Sequence, residues 1–247
     1  VTLANDYKEL VRQYQQRRDN YRLVAVEPLY RGGEFRYLSV WHPGGGKQRL
    51  WRDRSPGNLR SRQAQYRREG LHLANLEVFS REGTLWYLGI WHPGAQGNSR
   101  LEADLTWDEF LYRWGELARK DFRLIDAEVY STAGGIRYAG VWQADTRKFR
   151  LWKTASIDTL LNKQEEYYPL GLRLHDLEVF VEGGRTYYLG VWLESGDEMR
   201  LWLNQPLEQF VNQQNQAPAQ TLQLLDVEAY STTGGLSFFS LLRELGR

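Results

Sequence analysis

The stretch LRLHDLEVFVEGGRTYYLGVW, residues 172–192, decides how this chain is read. A run of strand formers carrying Glu178 leads to Gly183-Gly184, and a second run carries Tyr188, Gly190 and Trp192. Two such runs across a glycine turn predict a β-hairpin. Reading outward, the first run recurs as YRLVAVEPLY (21–30), LHLANLEVFS (71–80), FRLIDAEVYS (122–131) and LQLLDVEAYS (222–231). Its glutamate is Glu27, Glu77, Glu128, Glu178 and Glu228 in turn, at intervals of 50, 51, 50 and 50 residues. Fourteen residues after each glutamate stands Trp41, Trp91, Trp142, Trp192 and, last, Leu242. Four before those stand Tyr37, Tyr87, Tyr138, Tyr188 and Phe238, and two before stand the small Ser39, Gly89, Gly140, Gly190 and Ser240. Eight before stand Gly33, Gly83, Gly134, Gly184 and Gly234. An Arg-Leu pair follows at 49–50, 100–101, 150–151 and 200–201, with Trp51, Trp152 and Trp202 behind three of the four. Self-similarity at a fixed period marks a repeat architecture.

Each unit opens with a helix. In the third, Thr106 followed by Glu109 makes a capping box, and Trp107, Phe110, Leu111, Trp114 and Leu117 share one helical face. Ser55-Pro56 and Pro206 are start signals in other units. An alternating strand, a glycine turn, a second strand ending in Trp, a polar loop and a short third strand at Arg-Leu-Trp complete an αβββ unit. One such unit is too small to bury its own apolar face, so neighbours must stack. After Leu242 the fifth unit has no third strand, while Val1 to Asn5 precede the first helix as Leu201 to Asn204 precede the fifth. The N-terminal strand is therefore expected to complete the fifth unit, which would join the two ends and hide strand edges. The expected fold class is α+β. It is a single domain forming a closed five-fold, propeller-like ring of αβββ units, at 5–54, 55–104, 105–154, 155–204 and 205–247 plus 1–4. An open solenoid array is the alternative.

Composition excludes several functions. The 247 residues hold 32 Lys+Arg against 31 Asp+Glu, a net charge of +1, which argues against a dedicated nucleic-acid binder. With 42% hydrophobic and 14% aromatic residues, disorder is excluded, and no apolar run is long enough for a membrane span. There is no cysteine, so thiol chemistry, disulfides and thiolate zinc sites are out. Val1 is not an initiator methionine, and no signal peptide is visible.

The segments LGLRLHDLEVF, GGRTYYLGVW, RLW and LEQFV together resemble the bacterial tandem repeat domain, five copies of which would cover nearly the whole chain. In that family the repeats often stand beside serine hydrolase domains resembling β-lactamases. The resemblance implies a secreted or cell-surface accessory module. This chain departs from the pattern at Phe238, Ser240 and Leu242 in the fifth copy and at Glu102, where other copies have Trp.

The repeated residues are the candidate site. Strict alternation would put Leu124, Asp126, Glu128 and Tyr130 on one side of a strand and Ile125, Ala127 and Val129 on the other. On the second strand Tyr138, Gly140 and Trp142 would face one way. The hairpin is then expected to gather a Glu, a Tyr and a Trp around a small residue, five times over. The candidate binding residues are Glu27, Glu77, Glu128, Glu178, Tyr37, Tyr87, Tyr138, Tyr188, Trp41, Trp91, Trp142 and Trp192. Two readings stay open. In the structural one, each Glu partners a repeated arginine (Arg49, Arg100, Arg150 or Arg200) or a neighbouring unit's backbone amides, and each Trp wedges between units. In the functional one, a carboxylate beside an aromatic face binds sugar, and weak sites on one rigid frame add by avidity.

Catalytic motifs are not found: no nucleophile elbow, no HExxH and no phosphate loop. The pairs Asp126/Glu128, Asp176/Glu178 and Asp226/Glu228 could do acid–base work only at the right spacing to a substrate, and their recurrence speaks for architecture. His42 and His92 occupy matched Trp-His-Pro motifs and read as turn residues, not metal ligands. From Arg49 to Glu69 seven arginines face two acids, either a solvated helix face or a contact for an anionic or protein partner. The stretch 213–220 reads as a polar loop. The function expected is non-enzymatic binding, lectin-like with glycan partners. A protein-interaction scaffold or accessory domain of a secreted hydrolase is the alternative, and a carboxylate-based hydrolase the remaining one. No cofactor, no metal and a monomer are expected.

Overall fold

A computed structural model of the chain describes residues 1–31, 34–94, 99–216, 222–232 and 235–244. The first unit runs β1 (Thr2–Ala4), α1 (Tyr7–Arg17), β2 (Tyr21–Arg31) and β3 (Glu34–Pro43). The second runs β4 (Arg49–Asp53), α2 (Pro56–Arg68), β5 (Leu71–Arg81) and β6 (Thr84–Pro93). The third runs β7 (Ser99–Leu105), α3 (Trp107–Ala118), β8 (Phe122–Thr132) and β9 (Gly135–Ala144). The fourth runs β10 (Phe149–Thr154), α4 (Ile157–Tyr167), β11 (Leu172–Glu182) and β12 (Arg185–Glu194). The fifth runs β13 (Met199–Pro206), α5 (Leu207–Gln216), β14 (Leu222–Thr232) and β15 (Gly235–Glu244). Each unit is one three-stranded antiparallel sheet with the hairpin's second strand in the middle, and no sheet closes on itself.

The five repeats are as expected, but their frame is not αβββ. The short strand belongs with the helix that follows it: β4 pairs with β6, and Arg49 lies opposite Trp91, not in the unit of Trp41. The expectation that the N-terminal strand completes the fifth unit is corrected in the same way. Thr2, Leu3 and Ala4 pair with Ser39, Leu38 and Tyr37 of the first unit. The fifth unit already has its short strand in β13, paired with β15. Each of the five sheets has its three strands. Units lie at 2–43, 49–93, 99–144, 149–194 and 199–244, about six residues earlier than the expected boundaries.

Local chemistry explains each element. Asp6, Ser55 and Ser156 cap their helices by accepting the N3 amide, and Thr106 and Glu109 form the full capping box. Pro56 sits in the first turn of α2. On α3, Phe110 and Leu117 are buried, but Leu111 turns out to solvent. The hairpins of units 2 and 4 turn on two residues, Glu82-Gly83 and Gly183-Gly184, all at positive φ, the conformation of a tight type I′ turn. Gly33 and Gly234 lie outside the described residues, as do 217–220 of the polar loop.

The cores are shared between neighbours. In the third unit Phe110, Leu117, Leu124, Tyr138 and Trp142 fill the space between helix and sheet, and Phe180, Leu189 and Val191 from the back of the fourth sheet close it. Likewise Ala139 and Val141 of the third unit close the core of the second, and Phe239 and Leu241 of the fifth close that of the fourth. Leu88 and Ile90 of the second close the core of the first. The fifth unit's core, around Phe210, Phe238 and Leu242, is completed by Leu38 and Val40 of the first.

The small residue at the centre of each hairpin has a steric cause. Trp91, Trp142 and Trp192 fold back over Gly89, Gly140 and Gly190. A Cβ at Gly140 would lie 2.7 Å from both Leu124 and the Trp142 ring. Gly140→Ala is expected to cost about 1–3 kcal/mol by overpacking. Gly115→Ala, in the α3 helix with no atom nearer than 3.8 Å, is expected to gain about 0.5–1 kcal/mol. Urea unfolding of the two variants measures both.

Candidate functional site

Hairpin register decides where the repeated residues point. With the turn at 183–184, Glu178 lies opposite Leu189, and Tyr188 lies opposite Val179. Opposed residues share a face, so the glutamate and the tyrosine are on opposite sides of the sheet. The same holds for Glu27 opposite Leu38, Glu77 opposite Leu88, Glu128 opposite Ala139 and Glu228 opposite Phe239. A β-bulge in every first hairpin strand shifts the alternation again. It falls at Val24, Ala74, Ile125, His175 and Leu225. Leu124 therefore faces the helix while Asp126 and Glu128 face the other way. The expected Glu–Tyr–Trp clusters do not form.

The tyrosines and tryptophans sit under the helices. Trp91, Trp142, Trp192 and Tyr37 are 0% exposed, Tyr138 1% and Tyr87 3%, so none of these rings presents a face to a ligand. Trp41 and Tyr188 are half-buried. Tyr66, Phe110 and Tyr167 pack on Trp91, Trp142 and Trp192 at 5.1–5.6 Å between ring centres. Each Trp thus locks a hairpin to its own helix and does not wedge between units. The tyrosine hydroxyls do reach the next unit: those of Tyr37 and Tyr138 accept from Arg52 and Lys153 at 2.8 Å.

The glutamates make the joints. Glu128 accepts the Val78 amide at 2.7 Å, Glu178 the Val129 amide at 3.0 Å and Glu228 the Val179 amide at 3.4 Å. Glu27 accepts the Ala229 amide at 3.2 Å. Each carboxylate takes the amide that follows the neighbouring unit's own glutamate. Two residues earlier, Asp126, Asp176 and Asp226 accept the amides of Leu76, Ala127 and Leu177. The repeated arginines are not the partners: Arg49 pairs with Glu69 and Arg200 with Glu244. The fifth joint lacks its donor. The amide that would meet Glu77 belongs to Pro28, which has no N–H, and Glu77 accepts no hydrogen bond among the described residues. Pro28 is tolerated because β2 is an edge strand and the outward N–H position takes no part in pairing with β3. His42 and His92 are joints too: their rings donate to the Leu224 and Leu23 carbonyls of neighbouring units at 2.6 and 2.7 Å. Burial pushes His92 down to about 4, so its ring is neutral.

Glu27, Glu77, Asp126, Glu128, Asp176, Glu178, Asp226 and Glu228 are all pushed up in pKa, first by burial and, for all but Asp226, also by one another. None forms an ion pair with Lys or Arg among the described residues. The amide bonds offset part of the burial cost, at about 1.5–3 kcal/mol for a bond to a charged group.

The bulges open a pocket of about 250 Å³ at the early end of these strands. Val24, Ala74, Ile125, His175 and Leu225 all line it, one from each unit. Asn75, Asp126, Asp176 and Asp226 stand beside them, with Arg147, Arg173, Ser195, Asp197 and Arg243. Asp126 Oδ1, Asn75 Oδ1 and Arg243 Nε are buried without hydrogen-bond partners. Sequence reasoning noticed the aspartates only as carboxylate pairs and missed Asn75, His175 and the arginines. Counting register back from the glycine turn would have put the aspartates on this face. The bulges left no mark on period.

A raised carboxylate keeps its proton in the folded chain at pH values where the unfolded chain, titrating near about 4–4.5, has lost it. Raising pH through that window therefore lowers stability; for Asp226 the window ends at about 6. The chain is expected to gain stability as pH falls from 7 towards 5. Glu77→Gln removes one such group and no hydrogen bond from a backbone amide. It is expected to unfold at higher urea than the parent at pH 7.5, with the advantage gone by pH 5.

Among the described residues, no helix is long and apolar enough to cross a membrane. No curated protein sequence matches the chain significantly. The family model of the polyglycine hydrolase-like structural repeat matches residues 4–44, 52–94, 101–145 and 155–195. Each match starts in or just after a short strand and ends with the hairpin, the frame seen in the sheets. With more than half of its length matched, the chain belongs to the polyglycine hydrolase-like structural repeat family.

Proposed function

We propose that this chain is a non-enzymatic binding module, a closed propeller-like ring of five units with its ligand site at one mouth of the axis. The ring reading is supported by the fifth unit's core, which Leu38 and Val40 of the first complete. It is supported as well by the Ala229 amide on Glu27 and the His42 ring on Leu224. A single observation carries the binding reading: five bulged residues, one per unit, meet three aspartates in one pocket where acceptor oxygens are left without donors. Buried polar groups in proteins are mostly paired, and of the three unpaired buried oxygens among the described residues two belong to residues lining this cavity, which favours a ligand that supplies the missing donors. Catalysis is disfavoured because an acid–base pair needs two carboxylates whose environments push them apart, and here all eight are pushed the same way. The family's name points to a hydrolase as companion; we place this chain beside such an enzyme as the part that holds and does not cut.

The glycan reading moves with the site. A sugar in the pocket would be held by the aspartates and Asn75 without stacking on a Phe, Tyr or Trp ring, because none of these lines it among the described residues. Ala74→Trp should fill the mouth. We expect it to abolish retention of whatever glycan or peptide the parent selects on an array, with an unchanged melting temperature. Retention unaffected by the plug would count against the site.

A second reading rests on a separate observation. Arg60, Arg67 and Arg100 line a groove of about 230 Å³ between α2 and β7 and form no ion pair among the described residues. The Glu102 that replaces a repeated Trp lines it too. Of the other arginines in 49–69, Arg49 is tied to Glu69, Arg52 lies between Tyr7 and Trp86, Arg54 stacks on Trp86 and Arg62 on Trp51. The groove suits an acidic segment of a protein partner. Arg60→Glu with Arg67→Glu is expected to abolish capture of an acidic peptide, and the parent's capture should weaken between 50 and 300 mM salt, roughly as Debye screening dictates.

A further inference from the structure

Resting on the reading of the axial mouth as a binding site, we infer that it takes a short peptide with both termini free, its ammonium directed inward and its carboxylate held at the rim. The floor is lined by carboxyl groups that burial holds raised in pKa, and an ammonium entering among them favours their ionised, acceptor-only form. Asp126, Asp176 and Asp226 converge there with Asn75, and no lysine or arginine pairs with any of them among the described residues. Asp126 is only 4% exposed, and its Oδ1 has no donor while Oδ2 takes the Leu76 amide. The Asn75 amide donates to Asp126 Oδ2 and leaves its own oxygen empty. An ammonium carries three donors and no acceptor, the complement of this floor.

The rim has the opposite character. Arg173 spends Nε and Nη1 on the carbonyls of Asp197, Tyr168 and Leu172 and leaves Nη2 uncommitted. Arg243 bonds Gln223, stands 3.6 Å from Asp197 and keeps a buried Nε with no acceptor. Arg147 is paired with Asp145 at 2.6 Å. Two acids stand at the rim, and both are engaged, Asp197 by Arg243 and Asp145 by Arg147. A carboxylate would take the uncommitted Nη2 of Arg173, with the charge of the Arg243 guanidinium beside it.

Spacing sets the length. Arg173 and Asp176 lie on one strand, three positions apart with a bulge between them. At about 3.3 Å per residue this separates rim from floor by roughly 7–10 Å, the span of a di- or tripeptide at about 3.3–3.6 Å per residue. The wall between is apolar, with Val24, Ala74, Ile125 and Leu225, and accepts backbone without side chains of its own. His175, pushed down to about 4 by burial and the nearby Arg147, is neutral and can bond a peptide group.

The test is calorimetric titration of the whole chain with triglycine, N-acetyltriglycine, triglycine amide and maltotriose. Triglycine should bind, acetylation should weaken it at least about tenfold, and amidation should weaken it by a smaller factor. In Asp126→Asn the acetylation penalty should vanish; in Arg243→Gln the amidation penalty should vanish. Melting curves show that each variant is folded, and the two variants probe opposite ends of the pocket. Equal affinity for triglycine and its capped forms overturns the inference. So does Ala74→Trp-sensitive binding of maltotriose in place of triglycine, which keeps the mouth as a binding site but not for a zwitterion. If Ala74→Trp blocks no ligand of the parent, both the inference and the reading beneath it fall.

Discussion

The bond from a glutamate on one sheet to a main-chain amide of the neighbouring sheet is the constraint on which the architecture depends. Sheets stacked by apolar contact alone can slide, because dispersion and hydrophobic burial are non-directional. A carboxylate reaching an amide at 2.7–3.4 Å fixes register as well as proximity. It needs a residue that is long, an acceptor, and in the same place in every unit, and Glu27, Glu128, Glu178 and Glu228 satisfy all three. The cost is a set of buried acids that form no ion pair with Lys or Arg among the described residues. Pro28 shows how far one joint can be relaxed: it has no N–H to offer, Glu77 accepts no hydrogen bond among the described residues, and the shared core of Leu88 and Ile90 with the first unit holds that junction by packing.

The aromatic positions do different work. Trp91, Trp142 and Trp192 unite helix and hairpin within a unit, and the glycine two residues earlier exists because the ring folds back over it. Tyr37 and Tyr138 tie their units to a basic residue of the next. In the fifth unit Phe238 stacks on Phe210 and Ser240 replaces glycine beside Leu242, a smaller side chain that needs no bare backbone beneath it. The departures of the last copy are thus one concerted repacking. The acids and the aromatics, once suspected of acting together, are divided between the two faces of each sheet, and the proposed ligand site belongs to neither set alone but to the bulges between them.

Much of this was legible beforehand. Repeat number, the helix caps at Ser55 and Thr106 and the hairpin glycines follow from residue type and spacing, while the partner of the glutamates stayed open between arginines, neighbouring amides and a sugar. The face assignments did not. Strict alternation placed Leu124 with Asp126, and the bulge at Ile125 separates them. A bulge adds one residue on one strand only, and nothing in the composition of Val24, Ala74, Ile125, His175 and Leu225 announces it. The short strand was given to the wrong unit because Arg49-Leu50 stands nearer in sequence to Trp41 than to Trp91, and strand pairing across a helix outweighs that proximity.

By itself the sequence determined five units, the elements in each and the kind of residue that joins them, because periodicity, capping and turn chemistry are local. Only tertiary structure decided which strand completes which sheet, which face the carboxylates occupy, and that Pro28 meets Glu77. It also decided that residues from all five units line one pocket. Those facts depend on hydrogen-bond register between segments about fifty residues apart, where a shift of one position reverses every side chain.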